Sequence, residues 1–138
     1  MKSKVNCNWA GNMAFEAEIN DYKLMMDASP EVGGEERGPR PKPLTLASLG
    51  GCTGMDVISI LKKMKVVPEY FNIEIDGELT EEHPKYYHKI HLQYQFKGKD
   101  LPIEKLKKAV SLSQEKYCGV NELLKKGAEV TYEAIILD

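Results

Sequence analysis

The side chains best suited to chemistry in this 138-residue chain are its 3 cysteines. Cys52 stands directly after a glycine pair, in Leu49-Gly50-Gly51-Cys52-Thr53-Gly54-Met55-Asp56-Val57. Cys118 stands before a glycine, in Tyr117-Cys118-Gly119-Val120. A thiol pair can run redox chemistry when one member is a low-pKa nucleophile and the other resolves the sulfenic acid before over-oxidation. Free cysteine is also commonly a small buried hydrophobe, so Cys52 by itself carries both readings. Cys7 alternates in phase with Val5 and Trp9 and reads as a packing residue. An odd cysteine count without CxxC spacing speaks against a disulfide scaffold or a zinc knuckle. His88 and His91 fall on opposite sides of a strand and cannot chelate one metal together.

The elements that must position these thiols follow from periodicity. Over residues 44–64, Leu46, Leu49, Thr53, Val57, Ile60, Leu61 and Met64 keep helical spacing. Leu44, Ala47, Gly51, Met55 and Ile58 make a second small or apolar face, so the helix is expected to be buried between two layers. Thr45, Ser48, Cys52, Asp56, Ser59 and Lys63 form the remaining polar stripe, a better place for a reactive thiol than for a packing one. The lead-in Pro39-Arg40-Pro41-Lys42-Pro43 is stiff, and Pro43 suits a first helical position. If the glycines break the helix and a new one starts near Cys52, the N-terminal dipole favours its thiolate. If the helix runs through, Asp56 one turn on disfavours it. Both alternatives stand on sequence alone.

Before that helix, residues 5–9, 13–19 and 22–26 alternate as a three-stranded meander, followed by a long Gly/Pro-rich loop over 27–42 whose cations are Arg37 and Arg40. After it, Phe71 to Leu79 and Tyr86 to Phe96 read as a hairpin of strands, with Ile90, Leu92, Tyr94 and Phe96 on one face. Ile103, Leu106, Val110, Ser113 and Tyr117 mark one side of a helix interrupted at Cys118-Gly119. A short helix holding Leu123 and Leu124 and a closing strand through Tyr132 and Ile136 complete the chain. The expected class is α+β, with element order βββ-α-ββ-α-α-β and a buried central helix. No nucleotide-binding glycine motif occurs.

Size and charge set the remaining bounds. The length fits one domain over 1–138. A formal net charge of -2 gives no reason to expect nucleic-acid binding. No run of about 18 apolar residues suggests a membrane span, and the first residues lack the apolar core of a secretory signal. A cytoplasmic location with reduced thiols is expected.

The segment Pro41-Lys42-Pro43-Leu44-Thr45-Leu46-Ala47-Ser48-Leu49-Gly50-Gly51-Cys52-Thr53-Gly54-Met55-Asp56-Val57 resembles the nucleophile segment of the OsmC/Ohr family of osmotically inducible and organic-hydroperoxide-resistance proteins. Tyr117-Cys118-Gly119-Val120-Asn121-Glu122-Leu123-Leu124 is similar to that family's second cysteine segment. The resemblance implies an OsmC/Ohr-like intertwined homodimer, which suits a helix apolar on two faces. It further implies an antioxidant thiol peroxidase without metal or other cofactor. Cys52 attacks a hydroperoxide, Cys118 closes a disulfide, and an external dithiol reduces it. In that family an arginine and a glutamate hold the thiolate. Here Gly11-Asn12-Met13 offers no arginine in the first hairpin, Arg40 and Arg37 are the candidates, and Lys42-Pro43 stand where the glutamate falls. The alternative is a non-catalytic or redox-sensing relative that binds a small apolar or thiol-reactive ligand in the dimer cleft.

Overall fold

Strict alternation along β5 (Tyr87–Lys97) puts Ile90, Leu92, Tyr94 and Phe96 on one face, and all four are buried. They form the floor of the core. The computed structural model describes residues 1–138, which divide into two compact units, Met1–Thr45 and Leu46–Asp138.

In the first unit β1 (Asn6–Trp9), β2 (Phe15–Ile19) and β3 (Tyr22–Met26) pair antiparallel in chain order. Asn20 and Asp21, both at positive φ, make the two-residue turn that matches strand twist. The loop that follows is ordered around Asp27. Its Oδ1 accepts from the N–H of Ala28, and its Oδ2 from those of Glu35 and Arg37. Burial pushes this carboxyl up, but the three N–H donors and the Arg37 charge outweigh it and hold it below the usual carboxylate range. One sequence expectation fails here: Cys7 does not pack beside Trp9. Both are exposed, as is every residue of β1.

The second unit holds most of the long helix α1 (Pro41–Lys63). It opens on Pro41 rather than Pro43 and runs without interruption through Gly50-Gly51. A helix start at Cys52 therefore does not occur, and Cys52 sits mid-helix rather than at a helix discontinuity. The glycine that weakens helix propensity is used for close approach, since a Cβ at Gly50 would lie 3.0 Å from Ile75 Cδ1. Leu49, Thr53, Val57 and Leu61, each one turn apart, are buried. The second apolar face is open in the single chain, where Met55 is 76% and Ile58 44% exposed. By length and composition alone α1 is apolar enough to cross a bilayer, but its Leu49–Leu61 face belongs to the core.

The strand β4 (Tyr70–Leu79) pairs antiparallel with β5, and β6 (Glu129–Ile136) pairs parallel with β5 on the other side. A parallel pair needs a crossover. It is supplied by α2 (Ile103–Leu112), a π-helical turn over Ser113–Tyr117, and α3 (Gly119–Leu124). Phe71 stacks on Phe96 with ring centroids 4.5 Å apart, and Leu106, Ala109 and Val110 complete the core.

Candidate active site

The π turn decides where the second thiol goes. Widening the helix by one residue per turn shifts its phase. Tyr117, expected on the apolar side, points outward at 53% exposure, while Ser113 and Cys118 are buried. Cys118 leaves the helix with extended backbone (φ -78, ψ 104) and caps α3, its Sγ accepting from the N–H of Asn121 at 3.4 Å.

Cys118 thus turns toward the polar stripe of α1. The Sγ atoms of Cys52 and Cys118 and a carboxylate oxygen of Asp56 all lie within 4.8 Å of one another. Cys52 and Asp56 are half-buried, and Cys118 is 4% exposed. Burial pushes the Cys118 thiol up to about 11, with Cys52 and the Asp56 charge adding to the rise and the Asn121 N–H opposing it. Two sulfurs and one carboxylate fall one donor short of a closed tetrahedral zinc site, and no imidazole joins them. The arrangement suits thiol chemistry: an accessible sulfur beside a shielded one.

Behind the thiols lies a buried polar chain that sequence reasoning missed. Gln114 Nε2 donates to the Tyr94 hydroxyl at 2.7 Å, Tyr94 meets Thr53 Oγ1 at 2.7 Å, and Thr53 meets Ser113 Oγ at 2.6 Å. Ser113 donates to Asp56 Oδ2 at 3.0 Å. At the far end Asn121 Nδ2 donates to Gln114 Oε1 at 2.9 Å, and the same asparagine holds Cys118 Sγ through its N–H. The chain therefore begins and ends beside the thiol pair. Burial raises the Tyr94 phenol, against the Thr53 and Gln114 bonds that lower it, so it serves as a neutral hydroxyl. Thr53 and Ser113 are polar residues at core positions of their helices, the one available sequence signal for this network.

Arg37 and Arg40 have partners within the first unit. Arg37 Nη1 donates to the carbonyl of Ala10 at 2.9 Å. Arg40 pairs with Glu36 and donates to the carbonyl of Gly38. Of the histidines, His88 Nε2 pairs with Glu78 at 2.8 Å, while His91 bridges Thr131 and Glu133. An open groove of about 620 Å³ runs between α1 and β4, lined by Gly50, Gly51, Gly54, Met55, Ile58 and Ile73 among others. Cys52 is not part of its lining.

A long helix over a mixed sheet, with a crossover that returns a second thiol to the helix, defines a two-cysteine α+β protein. A family model described as OsmC-like protein matches residues 33–133, and the chain belongs to that family. Protein YhfA of Escherichia coli (strain K12) is 30% identical over 125 residues, 90% of each chain. A hypothetical protein from Aquifex aeolicus VF5 superposes with a TM-score of 0.84 at 29% identity, over 100% of this chain and 99% of that one. The fold is also shared with an organic hydroperoxide resistance protein OsmC from Legionella pneumophila, with a TM-score of 0.72 and 18% identity over 97% and 96% of the two chains.

Proposed function

We propose that this protein is a thiol peroxidase that reduces organic or related hydroperoxides. The observation that carries the reading is the approach of Cys52 and Cys118 to within 4.8 Å, with Cys52 the more accessible. The name of the Legionella relative supports the substrate class. In this scheme the Cys52 sulfur attacks the terminal peroxide oxygen, the O–O bond breaks, and the alcohol leaves with a proton. The Cys52 sulfenic acid then condenses with Cys118, releasing water and leaving a disulfide. An external dithiol restores both thiols. Arg40 and Arg37 remain the candidates for holding the Cys52 thiolate.

The working unit is a homodimer in the cytoplasm. Support comes from the open apolar face of α1, because a face carrying Met55 and Ile58 is costly to leave in water and a second copy would cover it. The groove that this same face helps to line favours a second reading, a non-catalytic protein that binds a small apolar ligand there. One assay separates the two. With a dithiol reductant, the peroxidase consumes an organic hydroperoxide catalytically, and Cys52→Ser abolishes the turnover. Consumption equal to the Cys52→Ser background rejects the enzyme and leaves the ligand-binding reading.

A further inference from the structure

Asp56 stands one turn after Cys52, its carboxylate within 4.8 Å of both sulfurs. No cation pairs with it within the salt-bridge distance. The titratable groups that face it are the two thiols and, through Ser113 and Thr53, the Tyr94 phenol. Its hydrogen bonding has a direction. The Gln114 amide at one end of the buried chain can only donate through Nε2, and an ionised carboxylate at the other end can only accept. Each hydroxyl between them then passes its proton forward: Tyr94 donates to Thr53, Thr53 to Ser113, and Ser113 to Asp56. Such ordered chains strengthen cooperatively. One Asp56 oxygen is held in this way, beside the two thiols.

We propose that Asp56 takes the proton of Cys118 as the Cys52–Cys118 disulfide closes. The proposal deepens the reading of this pair as redox-active. Cys118 needs such a partner because burial holds it as the thiol up to about 11, far above neutral pH. In the closing step the Cys118 S–H bond breaks and its proton moves to the Asp56 carboxylate. The freed electron pair forms the S–S bond, and the group on the Cys52 sulfur leaves. When that group is the hydroxyl of a sulfenic acid, it departs as water with the proton Asp56 has just received. The two sulfurs share the oxidation that the peroxide delivered, and Asp56 returns to its ionised state.

The same closure can be run without any peroxide. In a Cys7→Ser background, one equivalent of dithiobis(nitrobenzoate) reacts with the accessible Cys52 and releases one coloured thiolate. Attack by Cys118 on the mixed disulfide then releases a second, whose rate reports closure alone, and mass spectrometry identifies the intrachain product. At neutral pH Asp56→Asn is expected to slow this second release roughly 100-fold, the lower end of the range for general-base catalysis. Charge alone predicts the opposite sign, since removing the Asp56 charge makes the Cys118 thiolate easier to form. The rates of the two proteins are expected to converge as pH approaches 11, where the thiolate forms without a base. A loss due to altered packing would persist at every pH. Closure unchanged or faster in Asp56→Asn, a deficit that persists at high pH, or no second release from the unaltered pair overturns the proposal. Peroxide does not enter this assay. A protein that closes its disulfide but spares peroxides therefore defeats the peroxidase reading and leaves the role of Asp56 intact.

Discussion

Ser113 Oγ donates to Asp56 Oδ2 across 3.0 Å, tying the crossover to the central helix beside the two thiols. Ser113 is fully buried and also meets Thr53 at 2.6 Å. Ser113→Ala removes a donor from a carboxylate and a partner from a buried hydroxyl. The expected cost is about 1–3 kcal/mol of unfolding free energy, the penalty for leaving such groups unsatisfied. Urea unfolding measures it, and a loss below about 0.5 kcal/mol would show that the chain carries little of the stability.

Cys118 should be the slow thiol. A value of about 11 against 9.0 for an ordinary thiol leaves roughly 100-fold less thiolate at neutral pH. Iodoacetamide should therefore modify exposed Cys7 well before Cys118 in the native protein, with mass spectrometry following each site. Comparable rates at the two would contradict the burial of Cys118.

The same shift has a sign for stability. A thiol raised in the folded state adds stability that is complete below pH 9 and is lost as pH rises toward 11. Cys118→Ala cannot lose it. The difference in unfolding free energy between the natural chain and Cys118→Ala should accordingly shift against the natural chain across that window. A constant difference would contradict the shift.

Much of this architecture is written locally. The period-2 pattern of Ile90, Leu92, Tyr94 and Phe96 and the helical spacing of Leu49, Thr53, Val57 and Leu61 each mark a buried face correctly. What fails to show is what depends on distant partners. Gly50-Gly51 leaves open on sequence alone whether the helix breaks; it runs through, and Ile75 packs close against the Gly50 position. The π turn that sends Tyr117 out and Cys118 in has no periodic signature. Asp56 and Ser113 stand 57 positions apart, and Thr53 and Tyr94 41, so no local pattern joins them. The pairing of the two cysteines follows from the family resemblance and not from their spacing.

The arginine candidates can be separated by pH. If Arg40 or Arg37 holds the Cys52 thiolate, replacing the responsible one with Met should move the midpoint of Cys52 alkylation up by roughly 1–3 pH units, the effect of losing one close opposite charge. Profiles of Arg37→Met and Arg40→Met that both overlay the parent would remove the arginines from the site.

The open face of α1 predicts assembly. The natural chain should elute as a dimer at micromolar concentration. Met55→Glu places a charge on that face and should shift the profile toward the monomer, as measured by light scattering. A folded, monomeric parent chain would exclude the dimer.

The most direct test of the peroxidase account is to identify the bond formed after one equivalent of an organic hydroperoxide. The account predicts an intrachain Cys52–Cys118 disulfide by mass spectrometry, reversed by a dithiol. It also predicts that Cys118→Ser accumulates sulfenic and then sulfinic acid on Cys52. Cys52 left as a free thiol after that treatment, with Cys118 unoxidised, would contradict it.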